Sequence, residues 1–201
     1  MTRLARLFPA ALLVLAAACT QPAVPEDHFY RLGSAPAQGG GTALAGVIEV
    51  NRFVADGLTG RRPVVYTDNA DAREVRAYHY HFWSEPPPIL LQNALVVYLR
   101  AAAPGAQVVT PDMRVEPDFI ISGKIRRFEQ VRGPTGGNAA GKIDVALELA
   151  VKCVQSGRMI VLKPYAVTVA TSDATVGEAV RRISQGTNAI FARFLSEIPR
   201  R

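Results

Sequence analysis

The stretch Tyr78–Arg100, YHYHFWSEPPPILLQNALVVYLR, decides how the rest of the chain is read. Tyr78, Tyr80 and Phe82 alternate with His79 and His81, the period of a strand with two different faces. Pro86, Pro87 and Pro88 then stop the ladder, because proline has no N–H to donate. A run of prolines fits only the first turn of a helix, where the N–H groups have no intrahelical partner. Ser84 stands where an N-cap would, and Glu85 puts a negative charge near the positive end of the helix dipole. From Ile89 to Leu99 the chain is almost continuously apolar, interrupted by Gln92 and Asn93. Such a helix is too apolar for the surface and too short to span a bilayer. It is expected to lie in the core against a sheet, with Trp83 packed at the corner between strand and helix.

Downstream, Pro104-Gly105 ends this helix, and Gln107–Thr110 reads as a brief strand. Three long strands follow. Asp118–Val131 carries Phe119, Ile121 and Ile125 on one face, with Gly123 where something packs close. Lys142–Val154 alternates Ile143, Val145, Leu147, Leu149, Val151 and Cys153 with Lys142, Asp144, Glu148 and Lys152. Met159–Thr171 contains Pro164, which points to an edge strand or a bulge. The last helix is announced by Thr175-Val176-Gly177-Glu178, the pattern of a capping box. Its apolar stripe runs through Val176, Val180, Ile183, Thr187, Ile190, Phe191, Phe194, Leu195 and Ile198. Upstream, His28–Leu32, Leu44–Val50 and Pro63–Thr67 read as short strands, the last forming a hairpin with Glu74–Phe82 around Asp68-Asn69-Ala70-Asp71. Gly33–Thr42 has the composition of a linker. Two helices with apolar stripes can both bury them on one face of one sheet. The expected fold class is therefore α+β: a two-layer domain over 28–201, its sheet largely antiparallel, with two helices packed on one face.

The N-terminus MTRLARLFPAALLVLAAAC has a basic start at Arg3 and Arg6, an apolar core from Leu7 to Leu15, small residues 16–18, and then Cys19. This is the layout of a signal peptide over 1–18. Small residues before a cysteine resemble the lipobox of bacterial lipoproteins, although Ala16 stands where leucine is usual. On that reading the chain is cut before Cys19 and Cys19 is acylated; the other reading is a secretory signal cut after an A-x-A, with Cys19 left unmodified. Thr20 follows where an aspartate would resemble an inner-membrane retention signal, which favours the outer membrane. Residues 19–27, with the polar, Pro-rich TQPAVPED, then form the lipidated N-terminus and a tether.

The chain has 201 residues, 49% apolar and 20% charged, a globular composition. Its net charge of +6 falls to +4 once Arg3 and Arg6 are removed, with no long basic run, so nothing marks a nucleic-acid partner. His79-x-His81 is half of a metal site, but His28 is the only other histidine, so no metal or other cofactor is expected. Cys153 lies on the inward face of its strand, where a thiol behaves as a small apolar group and lacks the basic surroundings of a nucleophile. The loop GPTGGNAAG, Gly133–Gly141, lacks the Lys-Ser/Thr of a P-loop and joins two strands. No catalytic residues stand out, and an enzyme is not expected.

Taken together, Cys19, Phe29-Tyr30-Arg31-Leu32, Trp83-Ser84-Glu85-Pro86, Leu90-Leu91-Gln92-Asn93-Ala94-Leu95 and Asp118-Phe119-Ile120-Ile121-Ser122-Gly123 resemble the ABC-type transport auxiliary lipoproteins, the PqiC-like group of paraquat-inducible systems. The resemblance covers most of the mature chain. It implies a non-enzymatic part of an ABC lipid transport system, anchored by its lipid on the periplasmic face of the outer membrane. The implied partner is the MCE-domain protein that bridges the periplasm, and the resemblance leaves room for a homo-oligomeric ring. Cys19, as the acylated (palmitate-bearing) residue, is the one site it carries over. The alternative is a structural or envelope-assembly lipoprotein without a transport role.

Overall fold

The computed structural model describes residues 25–33, 44–68, 73–133 and 140–199. The expected signal peptide, Cys19, most of the expected tether and linker, the turn at 69–72 and the tip of the glycine-rich loop lie outside the described residues. Among the described residues nine strands and two helices follow one another as β1 (His28–Tyr30), β2 (Gly46–Val50), β3 (Val54–Ala55), β4 (Pro63–Thr67), β5 (Arg76–Trp83), α1 (Pro87–Ala102), β6 (Ala106–Val109), β7 (Phe119–Val131), β8 (Lys142–Cys153), β9 (Met159–Ala170) and α2 (Val176–Ser196). Short 3-10 turns sit at Gly57–Gly60 and Pro111–Met113.

The thirteen-residue β7 is the spine. One edge pairs antiparallel with β8 over its whole length, and β8 pairs antiparallel with β9. The other edge is shared by three short parallel strands: β2 against Phe119–Ile121, β3 against Lys124–Ile125 and β4 against Glu129–Val131. β6 extends β2 in parallel, β5 forms an antiparallel hairpin with β4, and β1 adds to β5 in parallel. The class is the expected α+β, and most paired residues are antiparallel because the long strands are. The sheet is nonetheless mixed, since every short strand other than β5 joins its neighbour on the spine side in parallel.

Between Ile125 and Arg127 a bulge in β7 inserts one residue against β8. A single extra residue reverses which face the later side chains occupy. Ile121 and Ile125 point into the core before it, and Phe128 and Gln130 after it. Glu129 and Asp144, register partners, then fall on the opposite face. Gly123 is glycine because the Phe53 ring lies directly on it, in the space a Cβ would take.

Both helices bury their stripes in one continuous core. α1 brings Leu91, Leu95 and Leu99, and α2 brings Ile183, Ile190, Phe191 and Phe194, all at most 1% exposed. Tyr98 meets Phe191 edge-on, tying the helices together, and Gly186 lets α2 settle on Ile143, Val145 and Val167. Gln92, polar but buried, donates to the Val50 carbonyl at 2.8 Å, which explains an amide on the core side of α1. Cys153 is buried on the inward face of β8 as read from the alternation. β9 is an edge strand, which accommodates Pro164.

Candidate interaction site

The junction between β5 and α1 is built without the expected cap. The helix begins at Pro87 with Pro86 at the N-cap position, and no side chain caps it. The reason is the prolines themselves: Pro87 and Pro88 have no N–H, so the first helical N–H needing a partner is that of Ile89, and it donates to the Pro86 carbonyl at 2.9 Å. Ser84 is thereby released from capping. Its N–H donates to the Tyr30 carbonyl at 2.7 Å and binds β1 to the junction. Glu85 accepts from the Asn93 amide, one and a half turns into α1. Trp83 is 1% exposed and packs on Phe128 at 5.1 Å between ring centroids, the corner role expected of it.

β1 and β5 expose two different aromatic faces. On one, Phe29 stacks on Phe82 at 5.7 Å, the Arg62 guanidinium lies over the Phe29 ring, and Phe29 itself is 57% exposed. On the other, His28 stacks on its register partner His81, with centroids 4.9 Å apart and planes 15° from parallel. The Tyr30 hydroxyl bonds His81 Nδ1 at 2.8 Å, and Tyr78 meets His81 edge-on. Tyr78 in turn donates to Gln130 Oε1, whose amide donates to the Ala174 carbonyl ahead of α2. Burial lowers the His81 pKa, and neighbouring His28 lowers it further. Burial raises the Tyr30 phenol and pushes that of Tyr78 up to about 12.

Beyond Tyr30 the chain passes α1 and leaves an open groove of about 390 Å³ lined by Arg31, Leu32, Ser84, Glu85, Leu90 and Val97, among others. Gly33 closes this segment onto α2: its N–H donates to Ser184 Oγ at 3.0 Å, and its carbonyl accepts from Asn188. Leu90, Ala94 and Val97 form the helix side of the groove, and Val97, which the sequence placed in a core helix, is 51% exposed there. The strand side, Arg31 and Leu32, is in place because β1 lies against β5.

Of the sequence candidates, the structure brings His28 and His81 together, while His79 is exposed and its ring neighbour is Tyr80. Among the described residues no three His, Cys, Asp or Glu side chains converge as a metal site would require, and no helix is long and apolar enough to cross a membrane. The capping box of α2 departs from the simple form. Thr175 Oγ1 accepts from the Glu178 N–H, but buried Glu178 accepts from the backbone and hydroxyl of Ser172 and pairs with Arg181 and Arg182. These partners, Arg182 foremost, hold its carboxyl far below the usual carboxylate range.

The described residues thus form an α+β domain with an aromatic sheet edge and an open groove beside α1. The chain belongs to the family of ABC-type transport auxiliary lipoprotein components, whose model matches residues 30–193. That match covers β1 from its last residue through most of α2. Protein XCC0632 from Xanthomonas campestris, described as a DUF330 protein, shares the fold at a TM-score of 0.69. It is 14% identical, with 83% of this chain and 92% of that one covered. An uncharacterized protein matches at a TM-score of 0.67 and 18% identity, over 87% of this chain and 100% of that one. No curated protein matches the chain.

Proposed function

We propose that this protein is the outer-membrane lipoprotein of an ABC-type lipid transport system, anchored through acylated Cys19 on the periplasmic face and docking the MCE-domain protein that bridges the periplasm. The family match over residues 30–193 carries the reading. The order of the chain supports it: a lipobox-like segment ending at Cys19, Thr20 in place of a retention aspartate, a short polar tether, and a domain whose first strand lies at a sheet edge. An acylated cysteine anchors stably because each buried methylene contributes about 0.8 kcal/mol and more than one chain is attached. The chain supplies binding; the work of moving lipid belongs to the ATPase of the system. Copies of the domain could present the docking surface together as a homo-oligomer.

Crosslinking in cells followed by purification tests the docking role: an MCE-domain protein should be recovered. Recovery of outer-membrane assembly components without any MCE-domain protein would favour an envelope-assembly lipoprotein instead. For the anchor, Cys19→Ser should leave the chain unacylated and release it from the membrane fraction. A Cys19→Ser protein still processed normally and still membrane-bound would refute the anchor.

A further inference from the structure

We infer that β1 is a pH-released latch: protonation of both stacked imidazoles, His28 and His81, detaches residues 25–30 from β5 while Gly33 keeps the following chain fixed to α2. The latch is weak by construction. β1 is three residues long, pairs with β5 alone and lies at the end of the sheet. Its hold consists of three register pairs, the Ser84 N–H to Tyr30 carbonyl bond, the Phe29–Phe82 stack with Arg62 over Phe29, and the contacts of His28 and Tyr30 with the His81 ring, including the Tyr30 hydroxyl bond to Nδ1. Two neutral imidazoles stack at no electrostatic cost, and one imidazolium can lie against a neutral ring. Two imidazolium ions with centroids 4.9 Å apart repel at a distance well inside the screening length at physiological salt.

Among the described residues neither imidazole has a carboxylate within ion-pair distance; Glu26 and Asp27 precede His28 on the segment that is released, and Arg62 lies over Phe29 on the other face of β1. From β1, Tyr30 faces His81; from β5, Tyr78 does; behind them stand Tyr66 of β4, Gln130 of β7 and Arg132 over the Tyr66 ring. Tyr30 and Tyr78 remain phenols at any pH where imidazole titrates. Asp68 pairs with Arg76 and with Arg132, and among the described residues no histidine forms an ion pair. The side chains that touch the two imidazoles, Tyr30 and Tyr78, carry no charge to set against a second imidazolium.

The sign follows from linkage. His81 binds a proton less readily in the latched state, so latching is favoured at high pH and lost as pH falls below the ordinary imidazole range of about 6.5. Release stops at Arg31–Gly33, because Ser184 and Asn188 of α2 hold Gly33. If Cys19 is the anchor, as proposed above, release adds six residues to the tether, on the order of 20 Å of reach; the latch itself does not depend on that reading.

The test follows the Ser84 amide, whose bond to Tyr30 breaks on release. Hydrogen exchange on the full chain in detergent micelles, corrected for the intrinsic pH dependence of exchange, is compared at pH 7.5 and pH 5. Protection of Ser84 should fall about tenfold or more at pH 5 in the wild type, on the order expected for two close like charges. His28→Phe, which keeps a stacking ring and removes one charge, should hold its protection at both pH values, while His79→Gln should behave as the wild type. Unchanged Ser84 protection in the wild type, or an equal fall in His28→Phe, would overturn the latch. Membrane release of Cys19→Ser reads the anchor separately, so one can fail without the other.

Discussion

Trp83→Ala is the perturbation that most directly tests the reading of the junction. Trp83 is the only tryptophan, is 1% exposed and rests on fully buried Phe128. A buried indole removes about 200 Å² from water, which at about 25 cal/mol per Å² corresponds to roughly 5 kcal/mol. Alanine retains a small part of that, and partial collapse of the site recovers some more. A loss of about 3–5 kcal/mol is expected, in line with large-to-small substitutions of aromatic core residues. The backbone bonds are unaffected: the Trp83 N–H still donates to the Arg62 carbonyl and the Trp83 carbonyl still accepts from Arg62 Nε. Because the variant loses its fluorophore, urea unfolding is followed by far-ultraviolet circular dichroism in both proteins. Phe82→Ala, next to it but only half-buried, is the control and should cost clearly less. A Trp83→Ala loss below about 1 kcal/mol, or one no larger than that of Phe82→Ala, would refute the corner role and return the indole to the binding surface.

Other substitutions probe separate parts of the fold. Gly123→Ala places a methyl group where the Phe53 ring lies, so overpacking should cost about 1–3 kcal/mol in urea unfolding, and Phe53→Leu in the same chain should recover part of it. Glu129 has its pKa raised, first by burial and then by neighbouring Asp144, against the opposing pull of Arg127. Its charged form is the costly one, so Glu129→Gln should raise the unfolding midpoint at pH 7, and the gain should vanish as pH falls toward the ordinary carboxylate range near 4.3. Glu178 has the opposite sign. Its depressed pKa stabilises the fold above that range, and the contribution is lost as pH falls through the folded value. Glu178→Gln should therefore lower the midpoint at pH 7, with the difference from wild type shrinking below about pH 4.

What the sequence determined by itself is whatever repeats locally. The alternation from Ile143 to Cys153 marked the inward face of β8, the stripe from Val176 to Ile198 marked the buried face of α2, and the prolines after Trp83 placed the start of α1. Each is a backbone period or a missing N–H acting over a few neighbouring residues, so it can be read without knowing what lies across the chain. The tertiary structure decided the rest. The two-residue β3 carries no period of its own and exists because β7 offers it an edge. The bulge at Arg126 reversed the faces of β7, so Phe128 and Gln130 are core while Glu129 is not, a choice made by the register against β8. His28 and His81 are 53 residues apart in the chain and become a stacked pair only because β1 returns parallel to β5. Parallel joining requires long connections and leaves no local signature, so the candidate site stayed hidden where its elements were individually plain.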